Sequence, residues 1–150
     1  MFKELSLHHI MMEQKRRIAI QDLRPPAKSG EGGDIEWICR SLNLFTKNDT
    51  EKSAYKVFRI IVRSSIEGKP KTSTEIAEEL SLARGTVLFH MKKFASSGLV
   101  EQASGRKYIL RESCLEDTLD DMMRDMEKMF SRMKRVAAEI DKEMGFEKRW

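Results

Sequence analysis

Cysteine is scarce in this 150-residue chain. Its two cysteines, Cys39 and Cys114, are separated by 74 residues. This spacing fits neither a zinc site nor a disulfide framework, so we expect two packed thiols in a reducing cytoplasm.

Long hydrophobic runs are also missing, and the longest apolar stretches fall far short of the ~20 residues that a membrane span needs. The first residues do not resemble a secretory signal, because the basic cluster Lys15-Arg16-Arg17 follows the apolar residues instead of preceding them. We therefore expect a cytoplasmic protein that does not contact a membrane.

The motifs of common enzyme classes are absent as well. The stretch Gly30-Glu31-Gly32-Gly33 lacks the preceding strand and the Lys-Ser/Thr ending of a phosphate-binding loop. The adjacent His8 and His9 would point in different directions on a helix, which argues against a metal pair. We expect His90 to hydrogen-bond a backbone carbonyl near the hairpin described below, and not to act as a base. From these missing motifs the sequence predicts no enzyme, no cofactor and no metal.

Charge is what the chain has in abundance, and it is unevenly distributed. Charged residues make up 35% of the chain and apolar residues 40%, which is typical of a helix-rich soluble protein. Residues 46–111 carry 13 basic and 7 acidic side chains, whereas residues 112–150 carry 8 and 11. The basic excess therefore falls on one central segment, where contact with phosphates would require it.

That central segment contains a predicted pair of short helices. Thr72 and Glu75 have the spacing of a capping box at the start of the first helix, which should end near Ser81. The second helix should run from Arg84 to about Ser97, with Gly98 as its stop. Its buried stripe is predicted to be Val87, Met91, Phe94 and Ala95.

The other face of the second helix is predicted to point outward and to carry basic residues. A helix of this kind can enter the major groove of DNA, which is ~12 Å wide, although an ordinary solvated helix face would look similar. A β-hairpin should follow, with one strand over residues 99–102, a turn at Ser104-Gly105 and a return strand over 107–110. Arg106 and Lys107 lie at its tip, where they could contact a phosphate or a minor groove.

These residues resemble the ArsR-like winged-helix family of transcriptional regulators. The resemblance covers about residues 50–111 and rests on Arg84-Gly85-Thr86-Val87, His90, Lys92-Lys93 and Gly98-Leu99-Val100. It implies a homodimeric protein that binds double-stranded DNA. The DNA-binding residues predicted on this basis are Arg84, Thr86, Leu88, Phe89, Lys92, Lys93, Arg106 and Lys107.

The chain departs from this family at three points. Leu88 stands where many relatives have a small polar residue, Met91 and Phe94 replace the usual leucines, and the paired cysteines of the metal-sensing members are missing. Leu88 could contact a thymine methyl. With Phe89 it could instead serve a protein interface, so the alternative function is a winged-helix interaction module in a larger assembly.

A helix from about residue 51 to 67 should precede this pair, with Asn48-Asp49-Thr50-Glu51 as its capping segment and a basic outer face. A long helix from 113 to about 144 should follow. Its apolar residues repeat at alternating steps of four and three, which is the pattern of a coiled-coil seam. The predicted dimerisation residues are Leu115, Leu119, Met122, Met126, Met129, Met133, Val136 and Ile140. A pliable ligand pocket among the methionines is the second interpretation of this row, and we favour a dimer core.

The first 45 residues give the weakest pattern. We expect a helix to about Gln21, an end at Pro25-Pro26, a flexible linker over 28–33 and a short helix capped by Asp34. These helices should dock on the C-terminal helix. The predicted fold is mostly α with a small β-hairpin wing, divided into an N-terminal helical extension (1–46), a winged helix-turn-helix domain (47–111) and a C-terminal amphipathic dimerisation helix (112–150).

In this hypothesis two recognition helices address half-sites about one helical turn, ~34 Å, apart. A small-molecule effector is compatible with it, but the sequence names none.

Overall fold

The computed structural model describes residues 16–27, 30–45 and 52–146 of the chain. These ranges are mostly helical and contain one small antiparallel sheet. In chain order the elements are α1 (Glu31–Ser41), α2 (Ser53–Ile66), β1 (Lys71–Thr72), α3 (Ser73–Leu80), α4 (Arg84–Ser97), β2 (Val100–Ala103), β3 (Lys107–Leu110) and α5 (Leu115–Glu143). This architecture confirms the predicted winged helix with a long C-terminal helix.

The main core lies between α2, α3, α4 and the sheet. Phe58 of α2 and Phe94 of α4 are fully buried, and their ring centroids are 5.3 Å apart. Ile61 and Ile76 are also inaccessible to solvent. Burial of each such side chain contributes about 1.5–3 kcal/mol, so this cluster fixes α4 against the rest of the domain.

The sheet has one strand more than the sequence predicted. Its order is β1-β3-β2, with β3 antiparallel to both neighbours. Lys71 pairs with Tyr108 and Thr72 with Lys107. β1 is only two residues long, which is too short to produce a detectable alternation in the sequence.

Local capping explains where the helices of the pair begin and end. Thr72 Oγ1 accepts a hydrogen bond from the Glu75 backbone N–H, and the Glu75 side chain accepts one from the Thr72 backbone, which confirms the capping box. Gly98 ends α4 in the left-handed conformation, with φ of 89°. The helix from 51 to 67 is observed as α2, while its predicted capping segment, 48–51, lies outside the described residues.

The N-terminal predictions were partly wrong. Most of the helix predicted to about Gln21 lies outside the described residues, which begin at Arg16. Residues 16–27 form no helix, because their backbone bonds distant segments: the N–H of Arg17 donates to Ser96 O and that of Gln21 to Ser41 O. The predicted linker is partly helical, since α1 already begins at Glu31. Gly30, not Asp34, is the N-cap, and the Asp34 carboxylate accepts a hydrogen bond from the Gly30 N–H at 3.1 Å.

The position of α1 also differs from the expectation. It packs against α2, and Ile35, Cys39 and Leu44 are buried in the main core. Contact between the described N-terminal segment and the C-terminal helix is provided by Arg16, whose Nε lies 3.3 Å from Asp125 Oδ2. The N-terminal segment therefore completes the core of the winged helix.

Helix α5 is long and only its first half is covered. Cys114 is its N-cap, Met122 is buried, and Leu115 and Leu119 pack against the core. From residue 131 to 146 every residue is exposed. No helix among the described residues is both long enough and apolar enough to cross a membrane.

Candidate nucleic-acid interface

Helix α3, a tight turn and α4 form the helix-turn-helix. Ser81 adopts the left-handed conformation at φ of 54°, and the Leu82 N–H donates to Ala77 O at 2.9 Å. The half-buried Leu82 packs against the core. This turn sets the orientation of α4 relative to α3.

The inner face of α4 holds the helix in place. Val87, Met91 and Phe94 are buried as predicted. Ala95 is exposed, which corrects its predicted place in the stripe: the buried positions continue at His90 and Ser97. Ala95 is four residues after Met91 and so keeps the helical spacing, but it lies at the edge of the stripe on the side that faces solvent.

His90 was expected to bond a backbone carbonyl near the hairpin. Its Nε2 lies instead 2.8 Å from the hydroxyl of Ser53 at the start of α2, and both residues are buried. His90 therefore joins α4 to the start of α2.

The outer face of α4 presents the predicted DNA-binding residues in two groups. Arg84, Phe89 and Lys92 are exposed, whereas Thr86, Leu88 and Lys93 are half-buried. Lys93 Nζ lies 5.2 Å from the centre of the Phe89 ring, a cation–π distance. The face thus combines cations with one large exposed aromatic side chain.

The wing, defined as residues 100–110, follows α4 along the chain and carries two further cations. Its tip is a tight turn over Ser104–Arg106, where Gly105 and Arg106 adopt the left-handed conformation with φ of 74° and 58°. Arg106 and Lys107 are both exposed. The tip therefore offers positive charge to solvent, which is what a phosphate contact needs.

A second basic surface lies on α2. Lys56, Arg59 and Arg63 share its outer side and line a groove of about 300 Å³ together with Lys71 and Glu79. Lys71 and Glu79 form an ion pair. This groove fits the predicted basic outer face of α2.

The sequence did not predict an ion-pair network at the junction between the wing and α5. Arg111 follows β3 and binds both carboxylate oxygens of Asp125, which also contacts Arg16. The hydrogen bond from Arg111 holds the pKa of Asp125 below its ordinary value, and the same contact raises the pKa of Arg111. A side-chain hydrogen bond with Asp121 raises the pKa of Glu112 nearby.

Gly98 is part of this junction. A Cβ atom placed there would lie 2.9 Å from Arg16 Nη1 and 3.1 Å from Arg111 Nη1. The end of α4, the N-terminal segment and the residue that follows the wing therefore meet at Gly98, which has no side chain. Its role as a helix stop was the only sequence signal for this meeting point.

The other side chains in the described residues that could react or bind a metal do not form a site. Burial raises the pKa of the Cys39 thiol to about 12. Among the described residues, no three histidine, cysteine or acidic side chains converge as metal ligands. His8 and His9 lie outside the described residues.

The predicted dimerisation residues divide into two groups along α5. Met122 is buried, and Leu115, Leu119, Met126 and Met129 are half-buried. Met133, Val136 and Ile140 are exposed at 54%, 55% and 48%. Leu115, Leu119 and Met122 pack within the chain, so the half-buried Met126 and Met129 and the exposed distal group are left for a partner.

Comparison with known proteins supports the nature of this site. A family model described as a helix-turn-helix domain matches residues 50–103, which span α2, α3, α4 and the start of the wing. No curated protein and no solved structure matches the chain. The match indicates a DNA-binding domain of the kind found in transcriptional regulators.

Proposed function

We propose that this protein is a sequence-specific transcriptional regulator of the ArsR-like winged-helix type, which binds double-stranded DNA in the cytoplasm as a homodimer. The observation that carries the proposal is the construction of α4. Its inner face is fixed by fully buried residues such as Val87 and Phe94, while its outer face carries Arg84 and Lys92 into solvent. A rigid helix with an exposed basic face suits insertion into a major groove.

The first turn of α4 is suited to the closest contact with DNA. Arg84 is exposed at its first position, where it can donate two hydrogen bonds to a guanine edge. Gly85 follows it, and a Cβ there would meet nothing within 4 Å, so the backbone at this point is open to a close neighbour. Thr86 can bond a phosphate or place its methyl group on thymine.

Residues further along the helix and in the wing would bind the DNA backbone. Lys92 and Lys93 lie two turns after Arg84, beyond the region where side chains reach base edges. Arg106 and Lys107 at the tip of the wing would grip the adjacent backbone or minor groove. The two recognition helices of a homodimer would then address half-sites separated by a whole number of helical turns.

A second candidate function is favoured by one observation. Phe89 is 50% exposed and lies next to the half-buried Leu88, an apolar pair that would suit a protein partner. In that case α4 would be the contact surface of an interaction module. The two functions differ in their response to salt, because phosphate contacts release counterions and apolar contacts do not.

The experiment is a fluorescence anisotropy titration of fragments from upstream of the protein's own gene. Random DNA of equal length competes, and both are measured at 50 and 200 mM salt. Binding should weaken by ~10³-fold or more if about six phosphates are contacted, while the preference for the upstream fragment persists. Weak binding without sequence preference would contradict the regulator and leave the interaction module. Phe89→Ala then separates the regulator from the interaction module. The substitution should disrupt a protein contact made by α4 without changing the salt dependence of DNA binding.

A further inference from the structure

The distal half of α5 exposes a continuous apolar row. Phe130, Met133 and Val136 are exposed by 56%, 54% and 55%, and Ile140 and Met144 by 48% and 66%. Large side chains of this kind are seldom left in water as a contiguous strip unless another surface covers them. No other described segment of the chain covers residues 131–146, so the cover must come from elsewhere.

The pattern of the row specifies a helical partner. Met126, Met129, Met133, Val136 and Ile140 alternate in steps of three and four, which gives a seam between two helices. In heptad notation Met133 and Ile140 are a positions, and Met129 and Val136 are d positions. A second copy of α5 carries the same seam and can bury it.

Charges beside the seam distinguish the two directions in which a second copy could lie. The g positions are Asp125, Arg132 and Glu139, so their charge alternates along the helix. In a parallel pair each g position faces an e position of the other helix, which would set Arg132 against Ala137. No opposite charges would meet there. In an antiparallel pair the g positions face each other.

Two antiparallel registers set opposite charges against each other at the g positions. The one that would pair Asp125 with Arg132 is excluded, because Asp125 already binds Arg111 and Arg16. One register remains. With its centre between Lys134 and Arg135, Arg132 of each copy faces Glu139 of the other, Met133 faces Val136, and the large Phe130 faces the small Ala137. A shift of half a heptad toward the C-terminus would oppose Glu139 to Glu139. The same shift toward the N-terminus would oppose Arg132 to Arg132.

We propose that a second copy of this chain docks on the distal half of α5 in the antiparallel direction, centred between Lys134 and Arg135 and held in register by two Arg132–Glu139 ion pairs. The inference deepens the homodimer of the proposed function and rests on it. It places the apolar row in the dimer interface. The two winged-helix domains would then lie at opposite ends of the paired α5 helices.

Two single charge reversals test the register. Arg132→Glu gives two like-charged acidic pairs in a homodimer, and Glu139→Arg gives two basic pairs. Each homodimer should weaken by roughly tenfold, while an equimolar mixture should restore opposite charges and form heterodimers well above the statistical half. Native mass spectrometry of the mixture measures this fraction. Both residues are exposed, and circular dichroism checks that the variants keep their helices.

A random distribution in the mixture would overturn the register. A monomeric wild-type protein at high concentration would overturn the dimer as a whole and leave residues 1–15 or another protein as the cover. DNA binding is scored separately by the anisotropy titration. A monomer that still binds its upstream DNA therefore refutes this proposal without refuting the DNA contacts.

A distance measurement tests the direction independently. A spin label on Glu116→Cys, in a Cys114→Ser background with Cys39 buried, reports the distance between the two α5 N-termini. At 1.5 Å per residue an antiparallel pair with this centre separates the labelled positions by about 55 Å. A parallel pair would bring them within roughly 20 Å, since helices pack 8–10 Å apart and labels add length. The shorter distance would overturn the proposal.

Discussion

Arg111 and Asp125 join the end of the wing to the first half of α5 through two hydrogen bonds of 2.5 and 3.2 Å. The pair is largely shielded, with 17% and 15% of the side chains exposed, and Asp125 also binds Arg16. Charge-assisted bonds with this fork geometry are stronger and more directional than single contacts. One carboxylate therefore sets how the wing, the N-terminal segment and the long helix meet.

Asp125→Asn should lower the free energy of unfolding by about 1–3 kcal/mol, because two guanidinium groups lose a charged acceptor in a shielded position. Urea unfolding followed by circular dichroism measures the loss. The matched control is Asp120→Asn on the exposed side of the same helix, which should change stability by less than about 0.5 kcal/mol. Equal effects of the two substitutions would contradict the role of the junction.

The same pair should make stability depend on acid pH. Arg111 holds the pKa of Asp125 below its ordinary value in the folded state. The stabilisation is therefore fully present above the unfolded-state pKa of ~3.9 and is lost as the pH falls through the lower, folded-state value. The stability gap between wild type and Asp125→Asn should narrow when unfolding is measured at pH 3 instead of pH 7. A gap of the same size at both pH values would contradict this coupling.

Gly98→Ala should destabilise the protein for two reasons. An alanine in the left-handed conformation costs about 1–2 kcal/mol, and its Cβ would also displace Arg16 and Arg111. Gly68→Ala separates these effects, because Gly68 also has a positive φ, of 71°, but a Cβ there would meet nothing within 4 Å. Urea unfolding should show a larger loss for Gly98→Ala. Equal losses would mean that backbone strain alone accounts for the glycine.

Gly85→Ala should have opposite effects on folding and on DNA binding. Glycine within a helix costs about 0.5–1 kcal/mol relative to alanine, and nothing inside the protein requires it at this position. The substitution should therefore raise thermal stability and weaken binding to the upstream fragment. Gly33→Ala in α1 is the control, since it should also stabilise but leave DNA affinity unchanged. An unchanged DNA affinity of Gly85→Ala would contradict the proposed close approach of DNA to the α4 backbone at this residue.

Arg84→Ala should weaken binding to the preferred DNA by about 1–3 kcal/mol if the guanidinium contacts a base. The loss should be smaller on random DNA. Arg40→Ala, which removes an exposed cation from α1, is the control and should leave both affinities nearly unchanged. An equal loss on every sequence would make Arg84 a phosphate contact.

The helix-turn-helix could be predicted because its determinants are local. The capping box of Thr72 and Glu75 lies within one turn, and Gly98 ends α4 by its own conformation. Periodicity also separated the outer face of α4 from its core face, apart from the exposed Ala95 and the half-buried Thr86, Leu88 and Lys93. Burial of His90 beside Ser53 depends on a residue 37 positions away, which no local pattern contains.

The N-terminal segment could not be predicted for the same reason. Arg17 and Gln21 donate their backbone hydrogens to Ser96 and Ser41, so their conformation depends on partners far along the chain. Helical periodicity assumes that these bonds stay within the segment. The charge pattern likewise located the basic excess but gave no sign that Arg16, Arg111 and Asp125 share one site.

The contact of Arg16 with Asp125 has a consequence for the order of events during synthesis. These residues are 109 positions apart, so the loop that they close is among the longest the chain can form. A nascent chain extends from its N-terminus, and Arg16 leaves the ribosome long before its acceptor. The helix-turn-helix can therefore fold, and Arg17 can bond Ser96, before Asp125 has emerged. The ion pair that ties the N-terminal segment to α5 forms only after the first half of α5 has left the ribosome.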